Sequence, residues 1–372
     1  MITLEHVSKG YGKGHAAVED LSLVVADGEL VVLVGPSGCG KTTTLRMINR
    51  LVEPSSGRIL IDGQDVLARD PVEMRRGIGY VIQQGGLFPH RRVFDNVAVV
   101  PRLLAWDRAA VTSRVHELLE LVGLDPAAYA RRFPHELSGG ERQRVGVARA
   151  LGADPPVLLM DEPFGAVDPV TRQRLQRQFL DLQGELGKTI VFVTHDIDEA
   201  AMLGDRIAVL SAGATVEQYD TPAEVLGRPD TPFVADFVGA DRGVRRLSVV
   251  VIEEGDLASP PVVPPTADMD EVRRTVGGSE ARTAVVVDGD GHLVGWVSSD
   301  DRADGPVGEH TVKFATQVPL GTSLRAALGE MLQHDVRWVP VVGPGDGYLG
   351  VLTPNRLHAA MRRSVGGNPV ES

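Results

Sequence analysis

A single cysteine, Cys39, stands in 372 residues, so no disulfide can form within the chain and the composition suits a reducing compartment. Positive charge is also scarce: 38 Lys and Arg face 50 Asp and Glu, a net charge of −12. A sequence-independent grip on nucleic acid needs the opposite field, which argues against that partner. The short basic pairs Arg75-Arg76 and Arg131-Arg132 read as solvated faces. Long apolar runs are missing as well. The longest candidate, residues 21–34, is broken by Asp27, Gly28 and Glu29, and falls short of the roughly 18–20 apolar residues that cross a bilayer. The opening Met1-Ile2-Thr3-Leu4-Glu5-His6-Val7 alternates like a strand and has no basic region leading into an apolar one, so it does not read as a signal peptide. If the protein works at a membrane, a partner must span it.

What is present is the composition of a globular chain, 43% hydrophobic and 24% charged. Its length exceeds the roughly 250–300 residues at which a single core stops growing, so two domains are expected. Continuous apolar runs at Leu30-Val31-Val32-Leu33-Val34, Val157-Leu158-Leu159-Met160, Thr189-Ile190-Val191-Phe192-Val193 and Ile207-Ala208-Val209-Leu210 read as strands buried on both faces. Helical patterns alternate with them after Gly40, after Ser138 and over 172–186, which predicts a mainly parallel α/β sheet. Over about 88–153 the strand pattern disappears and helical spacing takes over, as at Val111, Val115, Leu118, Leu119 and Val122. This predicts a helical subdomain inserted between two strands.

The pattern changes after Gly239. Ala258-Ser259-Pro260-Pro261-Val262-Val263-Pro264-Pro265 excludes helix. Beyond it runs a gapless internal repeat of period 55, pairing Val263-Pro264 with Val318-Pro319, Met269 with Leu324, Arg282 with Arg337 and Gly295 with Gly350. Each copy reads as a helix, two strands joined by a Gly/Asp turn, and a short segment starting at Ser298 or Thr353. One copy could not bury its own apolar face, so the two are expected to pack together.

Gly35-Pro36-Ser37-Gly38-Cys39-Gly40-Lys41-Thr42 follows an apolar strand and opens a helix, followed by Thr43. That is P-loop spacing in its strand–loop–helix setting. The glycines let backbone N–H groups turn inward on phosphate oxygens, Lys41 adds a point charge, and the Thr42 hydroxyl suits Mg²⁺. Cys39 reads as a small loop filler. Downstream, an apolar strand ends in Asp161-Glu162; Asp161 suits Mg²⁺ coordination through water, and Glu162 is the candidate general base for the attacking water. Leu137-Ser138-Gly139-Gly140-Glu141-Arg142-Gln143 opens another helix with Ser138 and Glu141 at capping-box spacing. A cap alone does not call for two glycines, which suit close backbone approach to a ligand.

This segment resembles the signature motif of ABC ATPases, and the resemblance covers residues 1 to about 240 in the family's order. It implies that Tyr11 stacks on adenine, that Gln83 reaches Mg²⁺ and water as the Q-loop glutamine, that Gly165-Ala166-Val167-Asp168 is the D-loop, and that His195 is the switch histidine on the γ-phosphate. It implies a P-loop NTPase fold (α/β, with the inserted helical subdomain), ATP and Mg²⁺ as cofactors, and a homodimer. In that dimer Ser138, Gly139 and Gly140 act on the ATP held by the other subunit's Lys41.

The stretch Gln83-Gln84-Gly85-Gly86-Leu87-Phe88-Pro89-His90, with Asp95-Asn96-Val97-Ala98-Val99-Val100-Pro101 and Asp161-Glu162-Pro163-Phe164-Gly165-Ala166-Val167-Asp168, resembles ATPase subunits of quaternary-amine importers for glycine betaine, carnitine or choline. Residues 249–302 and 310–363 resemble the tandem CBS modules (α+β) that this group appends. The resemblance implies integral-membrane permease subunits, a substrate-binding protein, a peripheral place on the cytoplasmic face of the cell membrane, and ATP-driven uptake. At the CBS pair it implies regulation by ionic strength or by an adenine nucleotide or cyclic dinucleotide, with Asp301 and Arg356 at the matching ribose positions. An importer of another solute, or a non-transport ABC ATPase, stays open on these residues.

Overall fold

The computed structural model describes every residue except 13–15, 83–85, 166, 277–281 and 366–372. It divides into a unit of residues 1–225 with 229–239, and a unit of 226–228 with 240–372.

In the first unit the strand Leu30–Val34 is buried at all five positions. Each such Val or Leu contributes about 1.5–3 kcal/mol relative to exposure, and both faces must be covered, so the strand sits inside a sheet. Six strands are ordered Val216–Asp220, Arg206–Leu210, Leu30–Val34, Thr189–Thr194, Val157–Asp161 and Ile78–Val81. All pairs are parallel except the one at the edge made by Val216–Asp220. Register aligns Val34 with Thr194 and Asp161 with Val193. The carboxyl ends of three neighbouring strands therefore lie along one sheet edge, and the loops after them converge there. A second, antiparallel sheet runs Val18–Val25, Ile2–Lys9, Ser56–Ile61 and Gln64–Asp65.

No strand occurs among the described residues of 88–153, where the helices include Val93–Val97, Arg108–Leu121 and Gly139–Ala150. Arg108–Leu121 is capped by Asp107 and buries Val111, Val115, Leu118 and Leu119, the positions whose spacing marks it as amphipathic.

One basic pair departs from its expected solvated role. The Arg75 guanidinium donates to the carbonyls of Asn49 (3.2 Å) and Arg50 (2.6 Å), just past the P-loop helix Lys41–Ile48. A cation satisfying carbonyls at a helix C-terminus is a capping device, and it holds the P-loop helix in place. Arg132, likewise, lies over the Tyr129 ring at 4.3 Å.

The second unit repeats as the period of 55 predicts. Strands Val262–Val263 and Val318–Pro319, helices Met269–Val276 and Leu324–Gln333, and strand pairs Thr283–Val287 with Leu293–Ser298 and Val339–Val342 with Tyr348–Leu352 correspond. Bridges Ala258↔Val351, Val251↔Ser323 and His292↔Gly347 bring each copy's neighbourhood against the other. The copies end differently. Thr353 caps the helix Pro354–Arg363, its hydroxyl accepting from the Arg356 N–H, with Pro354 at the first helical position. In the first copy the Ser298 hydroxyl accepts from the Asp300 N–H, a tight turn that diverts the chain, and the acid- and glycine-bearing stretch after it forms no helix until Val307–His310. Arg363 closes the unit with a bidentate pair to Asp256, which is 5% exposed (3.1 and 2.8 Å).

Candidate functional site

The P-loop needs its glycines for room. A Cβ at Gly35 would lie 2.1 Å from the Leu210 carbonyl oxygen, and one at Gly40, where φ is 113°, would lie 2.4 Å from that of Ala17. No larger residue fits either place. Cys39 is buried within this turn, as a filler would be, while Pro36, Ser37 and Gly38 are exposed and Thr43 is half-buried.

Lys41 is 6% exposed, and its Nζ donates to the carbonyls of Gly35 (2.7 Å) and Pro36 (2.8 Å). No carboxylate pairs with it among the described residues. A buried ammonium held by two carbonyl oxygens, with Cys39 Sγ also 3.7 Å away, is costly, and it makes the loop receptive to an anion.

Thr42 Oγ1 donates to Asp161 Oδ1 at 2.9 Å across 119 residues of sequence. Asp161 is 4% exposed; burial pushes its carboxyl up, and the bond from Thr42 opposes this. A hydroxyl beside a carboxylate is a hard-oxygen donor set, which fits Mg²⁺.

Glu162, next along the chain, adopts φ 45°, a left-handed conformation that non-glycine residues rarely hold. Its N–H donates to Val193 O at 3.0 Å, and its own carbonyl accepts from Gln143 Nε2 (3.0 Å) and from the Gly165 N–H (3.2 Å). The reversal aims the side chain across the sheet edge, where Oε1 meets His195 Nδ1 at 3.0 Å. Glu162 is mostly shielded and His195 is 60% exposed. A carboxylate at the mouth of a phosphate loop, oriented by an imidazole that reaches solvent, can take a proton from water.

The remaining sequence-predicted residues make their contacts outside this cluster. Ser138 caps Gly139–Ala150, accepting from the Glu141 N–H at 3.3 Å, while Glu141 accepts from the Ser138 N–H at 2.7 Å. The capping box is real. Yet among the described residues a Cβ at Gly140 would meet only Val167, at 3.7 Å, an ordinary contact, so none of them demands that glycine. The Tyr129 hydroxyl donates to Glu141 and holds its carboxyl below the usual range. Tyr11 is 56% exposed, with Lys9 Nζ 5.3 Å from its ring centre. Asp168 accepts from the Thr171 N–H at 3.0 Å and caps Pro169–Leu186. Gln83 lies outside the described residues.

Three contacts were not legible in the linear pattern. Gln143, 3% exposed, holds the Glu162 carbonyl. Asn96 is fully buried; its amide oxygen accepts from the Phe88 N–H (2.8 Å) and its NH₂ donates to the carbonyls of Phe88, Arg91 and Arg92, so one side chain shapes the 88–92 loop. Arg149, at the far end of the Ser138-capped helix, donates to Gly86 O at 2.6 Å and lies 5.9 Å from the Phe88 ring centre. Only a polar residue inside an apolar pattern would have hinted at the first two.

Comparison with known proteins bears on these parts. Residues 18–165 match the ABC transporter family, and residues 255–303 and 312–363 match the CBS domain. An osmoprotectant import ATP-binding protein of Salmonella typhimurium is 45% identical over 96% of this chain and 95% of its own length. A glycine betaine/carnitine/choline transport ATP-binding protein of Bacillus subtilis is 44% identical over 99% of this chain and 98% of its own. Among solved structures, a dimeric ATP-binding cassette in a post-hydrolysis state with ADP and Pi superposes with a TM-score of 0.56 at 36% identity, over 60% of this chain and 99% of that one. No helix among the described residues is long and apolar enough to cross a membrane.

Proposed function

Because this chain belongs to the ATP-binding subunits of ABC transporters, we propose that it hydrolyses ATP to drive uptake of a quaternary-amine osmoprotectant, of the glycine betaine, carnitine or choline type, through a separate membrane permease. The observation that carries the chemistry is the Glu162–His195 contact beside the Thr42–Asp161 pair, at the carboxyl ends of adjacent strands.

In this reading the backbone N–H groups of residues 37–43 and the Lys41 ammonium take the phosphates, and Tyr11 takes the adenine ring. Thr42 and Asp161, with Gln83, would hold Mg²⁺, which neutralises charge on the phosphate oxygens when bound. Glu162 accepts a proton from water as the water oxygen bonds to the γ-phosphorus and the bond to the β–γ bridging oxygen breaks, leaving ADP and phosphate. His195 orients Glu162 through Nδ1 and offers its exposed edge to the γ-phosphate. Subunits of this family dimerise through their ATPase domains and work with permeases. We place Ser138, Gly139 and Gly140 on the partner's nucleotide, with Asp168 in the loop between the two sites. The 86–92 loop, shaped by Asn96 and Arg149, faces the permease on the cytoplasmic side of the membrane, and a substrate-binding protein supplies the solute.

The test is uptake by the assembled importer against a panel of glycine betaine, carnitine, choline, proline and sulfate. Saturable, ATP-dependent uptake of one or more quaternary amines is expected, with sulfate inert. Uptake of sulfate alone would defeat the solute assignment and leave the ATPase assignment standing.

The CBS pair is the regulatory part in this reading. Asp301 suits a ribose hydroxyl in one copy, whereas Arg356 at the matching place suits an anion. A ligand shifts the importer only by binding its states unequally. Ending the chain after Gly239 should leave hydrolysis intact and flatten the response of transport to a salt series or to added cyclic dinucleotide. An unaltered response in the shortened importer would remove any regulatory role for the pair.

A further inference from the structure

We infer that Gln143 is a positioning residue that couples the two ATP sites of the dimer, an inference that rests on the head-to-tail arrangement proposed above. Ser138 and Gln143 lie on one helix, five residues and about 7.5 Å of helical rise apart. In a head-to-tail pair Ser138 serves the nucleotide of the partner's P-loop, whereas Gln143 Nε2 holds the carbonyl of this subunit's own Glu162 at 3.0 Å. One rigid helix thus touches one site with its cap and the base of the other site with its second turn.

The surroundings of Gln143 argue against a packing role. Its side chain borders a mainly apolar cavity of about 30 Å³ whose lining includes Leu121, Val122, Phe164 and Phe179 along with Arg144 and Gln178. Its amide oxygen has no protein partner among the described residues. Leucine would suit that lining better, since a half-satisfied buried amide is unfavourable. The amide's bond to the protein goes to the peptide group of Glu162, which sits in the narrow left-handed region at φ 45°. A small displacement of the helix turns that peptide and swings the carboxylate relative to His195, 3.0 Å away. The cavity leaves the side chain room to follow.

The experiment is a double-mutant cycle on the full-length chain in its permease complex, using Gln143→Leu, Ser138→Ala and the pair. Gln143→Leu should bind ATP with unchanged affinity in equilibrium titration and unfold no earlier than wild type. Its kcat should fall about 10-fold, the worth of one hydrogen bond. Its Hill coefficient for ATP should drop to about 1, as the loss of coupling between sites requires. In the Ser138→Ala background the further loss should shrink below about twofold, because coupled positions are not additive. Losses that multiply, or a Hill coefficient equal to that of wild type, would overturn the coupling role. Gln143→Met, which keeps the length and lacks the donor, gives the same readouts if the leucine variant does not fold. Sedimentation of the Glu162→Gln chain with ATP separates the two ideas. A monomer overturns both the dimer reading and this one, whereas a dimer with multiplying losses overturns the coupling alone.

Discussion

Glu162→Gln should bind ATP as wild type does, hydrolyse it about 10²–10⁴-fold more slowly, the usual worth of a positioned base, and accumulate as an ATP-bound dimer. The expectation follows from how the position is built. The left-handed backbone of Glu162 is fixed by bonds from Gly165 and Gln143 to its carbonyl and from its N–H to Val193, none of which involves the carboxylate. Glutamine therefore keeps the backbone, the volume and a polar group facing His195 Nδ1. What it loses is the capacity to accept a proton from water. The phosphate contacts of the P-loop and the Thr42–Asp161 pair are untouched, so affinity should not change. Phosphate release under saturating ATP reads the first effect and sedimentation with and without ATP reads the second. Turnover at the wild-type rate would remove Glu162 from the base role and point to His195 or to another acid. His195→Ala, by contrast, removes the group that orients the carboxylate, and should reduce kcat without stabilising the dimer to the same degree.

Features fixed by near neighbours were open to reading along the chain, and those fixed by packing were not. The strand Leu30–Val34 and the loop after it declare themselves because burial on both faces demands an unbroken apolar run and the sharp turn demands glycine. Thr42 and Asp161 lie 119 residues apart, yet each carries its own local mark, so their meeting at 2.9 Å follows from the strand order once the sheet is parallel. The left-handed turn at Glu162 carries no mark, because a glutamate there looks like any other acid after a strand. Gln143 is similarly silent: its partner is a backbone oxygen, and backbone oxygens have no sequence. Arg75 misleads in the opposite sense, since a pair of arginines suggests a wetted face while its guanidinium satisfies the carbonyls of Asn49 and Arg50. In the tail, the repeat fixes which elements correspond, but the turn at Ser298 diverges from the helix at Thr353 through a hydroxyl bond to residue 300 in one copy and to residue 356 in the other. Local hydrogen-bond competition of that kind is decided by single residues and escapes a period-based reading.

Lys41→Ala should fail at the step that Glu162→Gln preserves. The Lys41 ammonium is buried, bonded to the carbonyls of Gly35 and Pro36, and without a carboxylate partner among the described residues. It therefore does two things: it holds the loop's curl and it leaves a positive charge that phosphate can neutralise. Alanine removes both, leaving the Gly35 carbonyl without its Lys41 bond and the Pro36 carbonyl with only the Cys39 N–H. One charged hydrogen bond to phosphate is worth about 1.5–3 kcal/mol, so ATP affinity should fall roughly 10- to 100-fold before any disorder of the loop is counted. Lys41→Arg should not restore it, because a planar guanidinium cannot occupy the point-charge position between the two carbonyls. Hydrolysis falls in both variants, but raising ATP should recover part of it only where affinity, and not chemistry, is lost. Equilibrium nucleotide titration beside steady-state kinetics makes the separation: Lys41→Ala raises the Kd, and Glu162→Gln lowers kcat at constant Kd. A Lys41→Ala chain that bound ATP as tightly as wild type would show that the phosphates are held elsewhere, and the placement of the whole site at the end of Leu30–Val34 would have to be abandoned.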